Sequence, residues 1–130
     1  MDTTVLDWED IDKACNVIAK WARLHGIKQV YGIPRGGIIP AALVARRIGA
    51  PLVFVADKLS SCLIVDDIAD TGDTIIKHNL TGCYVATICY KKQSKVRPNV
   101  VCRVVPDDVW VIFPWEFRDN EPIGKNTVSE

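Results

Sequence analysis

The stretch Leu63-Ile64-Val65-Asp66-Asp67-Ile68-Ala69-Asp70-Thr71-Gly72-Asp73-Thr74 restricts the fold more than any other part of the chain. It reads as an apolar strand, an acidic pair, and a small polar turn that opens a helix. Uninterrupted apolar strands are buried on both faces, and such strands belong to parallel sheets covered by helices. In an open α/β sheet, ligands sit beyond the carboxyl ends of the strands. A helix start at that place offers free backbone N–H groups and a positive dipole end, which suit a phosphate. Gly72 lets the backbone approach closely, and Thr71 and Thr74 add hydroxyl donors. Asp66 and Asp67 are poor phosphate ligands but good acceptors for vicinal ribose hydroxyls or magnesium-bound waters. Val65–Thr74 therefore reads as a cradle for a ribose phosphate. A plain acidic surface turn is the competing reading, and three carboxylates beside an apolar strand make a costly turn without a ligand. Asp70-Thr71-Gly72 also spells the aspartic-protease triplet, but those proteases are all-β. The phosphohydrolase signature needs a second Asp two residues after the first, and Ile68-Ala69 breaks it.

The rest of the chain alternates helix and strand signals with short connections. Asp7 is an N-cap for a helix over Trp8–His25, with Asp10 completing a capping box and Gly26 supplying the stop. Trp8, Ile11, Cys15, Ile18 and Ala22 form its apolar stripe. Gln29–Ile33 reads as a strand running into Pro34-Arg35-Gly36-Gly37. Pro40–Ile48 reads as a second helix, with Pro40 in its first turn and Gly49 ending it. Leu52–Ala56, Cys62–Val65, Tyr84–Tyr90 and Val100–Val104 read as strands, and Thr74–Leu80 as a short helix. Beyond Pro106 the chain reads as irregular. The pattern predicts an α/β fold with mostly parallel core strands. Residues 1–117 read as one domain and residues 118–130 as a polar tail.

At 130 residues and a formal net charge of zero, nothing points to nucleic acid or an acidic membrane surface. The basic run Lys91, Lys92, Lys95 and Arg97 reads by default as a solvated loop face. Five cysteines, Cys15, Cys62, Cys83, Cys89 and Cys102, are scattered among apolar neighbours with no C-x-x-C pair. They read as buried reduced thiols rather than a disulfide framework or zinc site. Met1–Asp7 shows no apolar signal region, and no run reaches membrane-spanning length. The expected setting is cytoplasmic.

Val65–Thr74 resembles the phosphoribosyl pyrophosphate (PRPP) motif of the type I phosphoribosyltransferases: apolar strand, two acids, two variable residues, then a T-G-x-T turn. Ile33-Pro34-Arg35-Gly36-Gly37 and the following Ile38–Arg46 resemble the pyrophosphate loop and helix of the xanthine-guanine phosphoribosyltransferases. Paired glycines there expose backbone N–H groups, and Arg35 adds a forked cation. Trp110-Val111-Ile112-Phe113-Pro114-Trp115-Glu116 is similar to the purine-binding hood of the same family, which implies a small C-terminal hood formed largely by 105–117. The resemblance covers Trp8 to Glu116.

That resemblance implies transfer of ribose 5-phosphate from PRPP to a 6-oxopurine (guanine, xanthine or hypoxanthine), with release of pyrophosphate, in purine salvage. Arg35, Gly36 and Gly37 would bind pyrophosphate, and Asp66, Asp67, Ala69, Asp70, Thr71, Gly72, Asp73 and Thr74 the ribose phosphate. Mg²⁺ would be held by Asp67 and Asp66, directly or through water. Asp70 would serve as general base beside the purine imidazole edge, with Arg35 as the second catalytic residue. Trp110 would stack on the base, the Val111 backbone would read its edge, and Lys91 would donate to the 6-oxo group. The family's usual state is a homo-oligomer, so a dimer or tetramer is expected. One departure stands out. Family enzymes insert a long mobile loop before the PRPP-motif strand, whereas Asp57-Lys58-Leu59-Ser60-Ser61 is turn-sized. This leaves open a weakened enzyme, a lid borrowed from a neighbouring subunit or the tail, or a non-catalytic PRPP- or nucleotide-binding regulator.

Overall fold

A computed structural model describes residues 2–55, 61–78 and 82–116. The elements run β1 (Thr3–Val5), α1 (Trp8–Leu24), β2 (Gln29–Gly32), α2 (Ile38–Ile48), β3 (Leu52–Val53), β4 (Cys62–Ala69), α3 (Asp73–His78), β5 (Tyr84–Tyr90), β6 (Val100–Val104) and β7 (Trp110–Ile112). Five of the strands form one sheet in the order β3-β2-β4-β5-β6, every pairing parallel. This is the mostly parallel, helix-flanked sheet expected from the sequence.

β4 lies at the sheet's centre and its alternate residues feed two cores. Leu63 and Val65 join the face covered by α1 and α2. Ile64 points the other way, into a smaller cluster with Ile33, Ile75 and Val85 on the α3 side. Period-two alternation makes each strand serve both layers, which is why these runs carry no polar stripe. α1 begins as expected: Asp7 accepts from the Asp10 backbone, and the Asp10 carboxylate accepts in return from the Asp7 N–H at 2.9 Å. α2 ends at Gly49, whose φ of 71° closes the helix in the left-handed region.

The structure corrects several expectations. The central strand does not end at Val65, because β4 continues through the acidic pair to Ala69. β3 stops at Val53, and Phe54 and Val55 are exposed. Trp8 is 54% exposed, so α1 buries Ile11, Ala14, Cys15, Ile18, Ala19 and Ala22 instead. The segment beyond Pro106 is not wholly irregular. β7 pairs in parallel with β1 to make a two-stranded hood, tied further by Leu6 N–H donating to Ile112 O at 2.9 Å. Cys15, Cys83, Cys89 and Cys102 are free and Cys62 is buried; burial pushes Cys15 up to about 11, and Cys89 and Cys102 up to about 12. No described helix is long and apolar enough to cross a membrane. Residues 79–80, the connection through 56–60 and the tail from 117 onward lie outside the described residues.

Candidate functional site

The carboxyl ends of β2 and β4 and the turn into α3 enclose a cavity of about 260 Å³, walled by Pro34, Gly36, Asp66, Asp67, Asp70, Thr71, Gly72 and Thr74 among others. Because β4 runs on through the acidic pair, its alternation sends the two carboxylates to opposite faces. Asp66 follows Ile64 on the α3 side, and Asp67 follows Val65 toward α2. The Asp67 N–H donates to Asp66 Oδ1 at 2.9 Å, and the Ile68 N–H to Asp67 Oδ1 at 2.8 Å. Burial, then the neighbouring Asp67 charge, pushes Asp66 up to about 8, and burial also raises Asp67. Neither carboxylate has a Lys or Arg partner among the described residues. Two adjacent carboxylates without a cation form a donor set that, once ionised, fits a hard divalent ion. Mg²⁺ is commonly bound by one or two carboxylates together with substrate phosphates.

The loop after β2 is folded tightly onto β4. The Ile33 N–H donates to Val65 O at 2.9 Å, and the Gly37 N–H to Ile33 O at 2.8 Å. A Cβ on Gly37 would strike the Val65 carbonyl and come within 2.8 Å of the Ile33 nitrogen; one on Gly36 would overlap the Asp67 carboxylate. The peptide between Pro34 and Arg35 is cis. Arg35 is exposed and lines a second cavity, of about 580 Å³, with Ile39, Trp115 and Glu116. Gly36 and Asp67 are walls of both cavities, so the two spaces adjoin at the acidic pair.

The turn into α3 is braced from the loop after β5. Gly72 has φ 89°, and a Cβ there would come within 2.8 Å of Ser94 Oγ. The Lys95 N–H donates to Thr71 O, and Lys95 Nζ reaches Asp73 Oδ1, both at 2.9 Å. The Lys91 N–H donates to Ala69 O at 2.9 Å. Lys91 is only 5% exposed, and its Nζ lies 3.2 Å from Asp70 Oδ2, which corrects the expectation of a solvated face. A buried ammonium needs such a partner. Trp110 is 56% exposed on β7, whereas Val111 is buried against the main core. Neither of them, nor Lys91, is a wall of either cavity.

No protein-family model matches the chain. Among curated proteins it is 27% identical over 134 residues to xanthine-guanine phosphoribosyltransferase of Nitratidesulfovibrio vulgaris, covering 84% of this chain and 82% of the relative. It is 26% identical over 139 residues to the protein of the same name from Desulfotalea psychrophila, covering 88% and 86%. The crystal structure of a purine phosphoribosyltransferase from Pyrococcus horikoshii superposes with a TM-score of 0.79 at 26% identity, over 94% of this chain and all of that one. The fold is that of a type I phosphoribosyltransferase.

Within this phosphoribosyltransferase fold, sequence reasoning missed three participants. Gln93 Nε2 donates to Asp70 Oδ1, so both carboxylate oxygens are engaged, and the Gln93 N–H is held by Asp107 Oδ1 at 3.2 Å. Nothing in the sequence marks Gln93 except its place two residues after Lys91. Trp115 and Glu116 were read only as hood, yet they line the Arg35 cavity. Trp115 stacks on Phe113 with ring centroids 5.2 Å apart, and Glu116 Oε1 accepts from the Phe113 N–H at 2.8 Å. The turn-sized segment 57–61 lies outside the described residues except for Ser61.

Proposed function

We propose that this chain is a purine phosphoribosyltransferase of salvage, moving ribose 5-phosphate from PRPP to a 6-oxopurine with Mg²⁺, in the cytoplasm and as a homo-oligomer. The observation that carries this reading is the Lys91–Asp70 pair, whose Asp70 walls the acidic cavity. It sets an ammonium donor beside a carboxylate acceptor. A 6-oxopurine presents the complementary pair, an oxo acceptor and an imidazole N–H, and adenine's 6-amino group does not. The two curated relatives are named for xanthine and guanine.

In this reading the 5′-phosphate lies in the Asp70–Thr74 turn, whose backbone N–H groups and Thr71 and Thr74 hydroxyls donate to it. Asp66 and Asp67 accept from the ribose hydroxyls and hold the metal shell. Mg²⁺, when bound, supplies positive charge to the pyrophosphate oxygens. Arg35 and the Gly36 and Gly37 amides take up the charge that develops as the C1–O bond breaks and pyrophosphate leaves with the electron pair. A purine nitrogen forms the new bond to C1, and Asp70 accepts the imidazole proton. Lys91 and Trp110 hold the base, with the Val111 backbone at its edge.

A nucleotide-binding regulator on the same fold is the second reading. It draws on the short span between the end of β3 at Val53 and the start of β4 at Cys62. One experiment separates them: the protein is incubated with PRPP, Mg²⁺ and each of guanine, xanthine, hypoxanthine and adenine, and nucleotide and pyrophosphate are quantified. Product from an oxopurine, lost in Asp70→Asn, supports the enzyme. Tight GMP or PRPP binding without product from any base supports the regulator, and adenine as the best substrate refutes the role given to Lys91.

A further inference from the structure

Thr87 on β5 is fully buried, and its hydroxyl finds no hydrogen-bond partner among the described residues. An unpaired buried hydroxyl is a costly choice where valine fills the same volume, so its retention asks for a reason. Its neighbours on the two adjacent strands are fixed by register. Thr87 stands opposite Val101 on β6 and opposite Asp66 on β4. Val85 and Ile64, each two residues earlier, both lie in the α3-side cluster, so Thr87 and Asp66 project to that same face. Adjacent strands run about 4.8 Å apart, so the hydroxyl stands within a small side-chain adjustment of the carboxylate. Asp66 is 6% exposed, and its Oδ1 accepts from the Asp67 backbone N–H at 2.9 Å.

We infer that Thr87 is a positioning residue for Asp66, its hydroxyl turning to donate to the carboxylate when ligand draws that carboxylate into use. The inference rests on the reading of Asp66 as an acceptor for the PRPP ribose and its metal shell. Without ligand the hydroxyl contributes nothing to stability. With ligand bound it fixes the rotamer of Asp66 and supplies a donor from beneath, where no solvent reaches. The residue acts through Asp66 and does not touch substrate.

The test pairs Thr87→Val with Thr87→Ser in the full chain. Thermal unfolding without ligand is followed alongside calorimetric titration with PRPP and Mg²⁺. A hydrogen bond to a charged acceptor is worth about tenfold or more in affinity. Thr87→Val is therefore expected to leave the ligand-free Tm at or above wild type while weakening PRPP binding about tenfold, and Thr87→Ser to keep wild-type affinity despite a lower Tm. A merely structural residue would lower Tm and leave affinity alone. Unchanged PRPP affinity in Thr87→Val overturns the inference while the function stands. Wild-type protein that fails to bind PRPP overturns both.

Discussion

Replacing Lys91 with methionine separates a role in base recognition from a role in stability. Methionine keeps most of the stem's length and apolar contacts, so the change removes little but the ammonium. Lys91 is 5% exposed, but its partner Asp70 has a side chain 42% exposed and keeps the Gln93 donor on Oδ1. Asp70 is therefore left solvated and still hydrogen-bonded. The pair's contribution is discounted accordingly, toward the ~1 kcal/mol of a half-exposed ion pair rather than the larger cost of stranding a buried charge. Losing a charged donor to a purine oxo group costs about 1.5–3 kcal/mol, which is roughly 10- to 150-fold in affinity or kcat/KM. The expected result is a Tm drop of a few degrees together with a fall of one to two orders of magnitude in kcat/KM for guanine or hypoxanthine. The KM for PRPP should stay near wild type. Chemical denaturation and a steady-state nucleotide assay measure the two effects on the same preparation. An unaltered oxopurine kcat/KM with a large loss of stability would refute the argument and make Lys91 a structural lysine.

Three further outcomes follow from the geometry. Gly36→Ala drives a methyl group into the Asp67 carboxylate, a movable side chain, whereas Gly37→Ala meets the Val65 carbonyl; the first should fold and lose PRPP binding about tenfold or more, and the second should lose soluble protein. Burial raises Asp66 to about 8 in the folded chain, against an ordinary 3.8, so its stability contribution is complete below pH 4 and drains away as pH climbs through 8. Without ligand, Asp66→Asn should therefore match wild-type Tm near pH 4 and exceed it near pH 9, and a constant difference across that range would contradict the burial argument. Asp7→Ala removes the side-chain half of the α1 capping box and should cost about 1 kcal/mol in denaturant unfolding with no change in ligand affinity.

The sequence was most legible where a local rule acts alone. Asp7 and Asp10 mark the start of α1, Gly26 and Gly49 mark helix ends, and the apolar run before Asp66 marks the central strand; all reappear in the structure. The parallel sheet follows from the same alternation of short apolar strands and helices. Legibility failed where a residue answers to distant neighbours. Asp66 and Asp67 look like the end of the strand because carboxylates seldom sit in strands, yet β5 pairs with β4 straight through them. Lys91 looks solvated because it opens a basic run, and only the fold brings Asp70 beneath it. β1 and β7 are three residues each, too short for any periodicity, and each exists by virtue of the other.

That last pairing has a bearing on the order in which the molecule is assembled. Thr3 lies against Trp110, and the Trp110 N–H reaches back 2.8 Å to Asp2 O, so the hood joins stretches that lie nearly the whole described chain apart. The turn into α3, by contrast, closes between neighbouring units of the central sheet. Loop closure over nearly the whole described chain comes late and slowly. A chain folded only through β5 has the walls of the acidic cavity but lacks the β1–β7 hood. Under the proposed function, discrimination among bases is then the last property to form, and fusions or deletions at β1 should disturb it first.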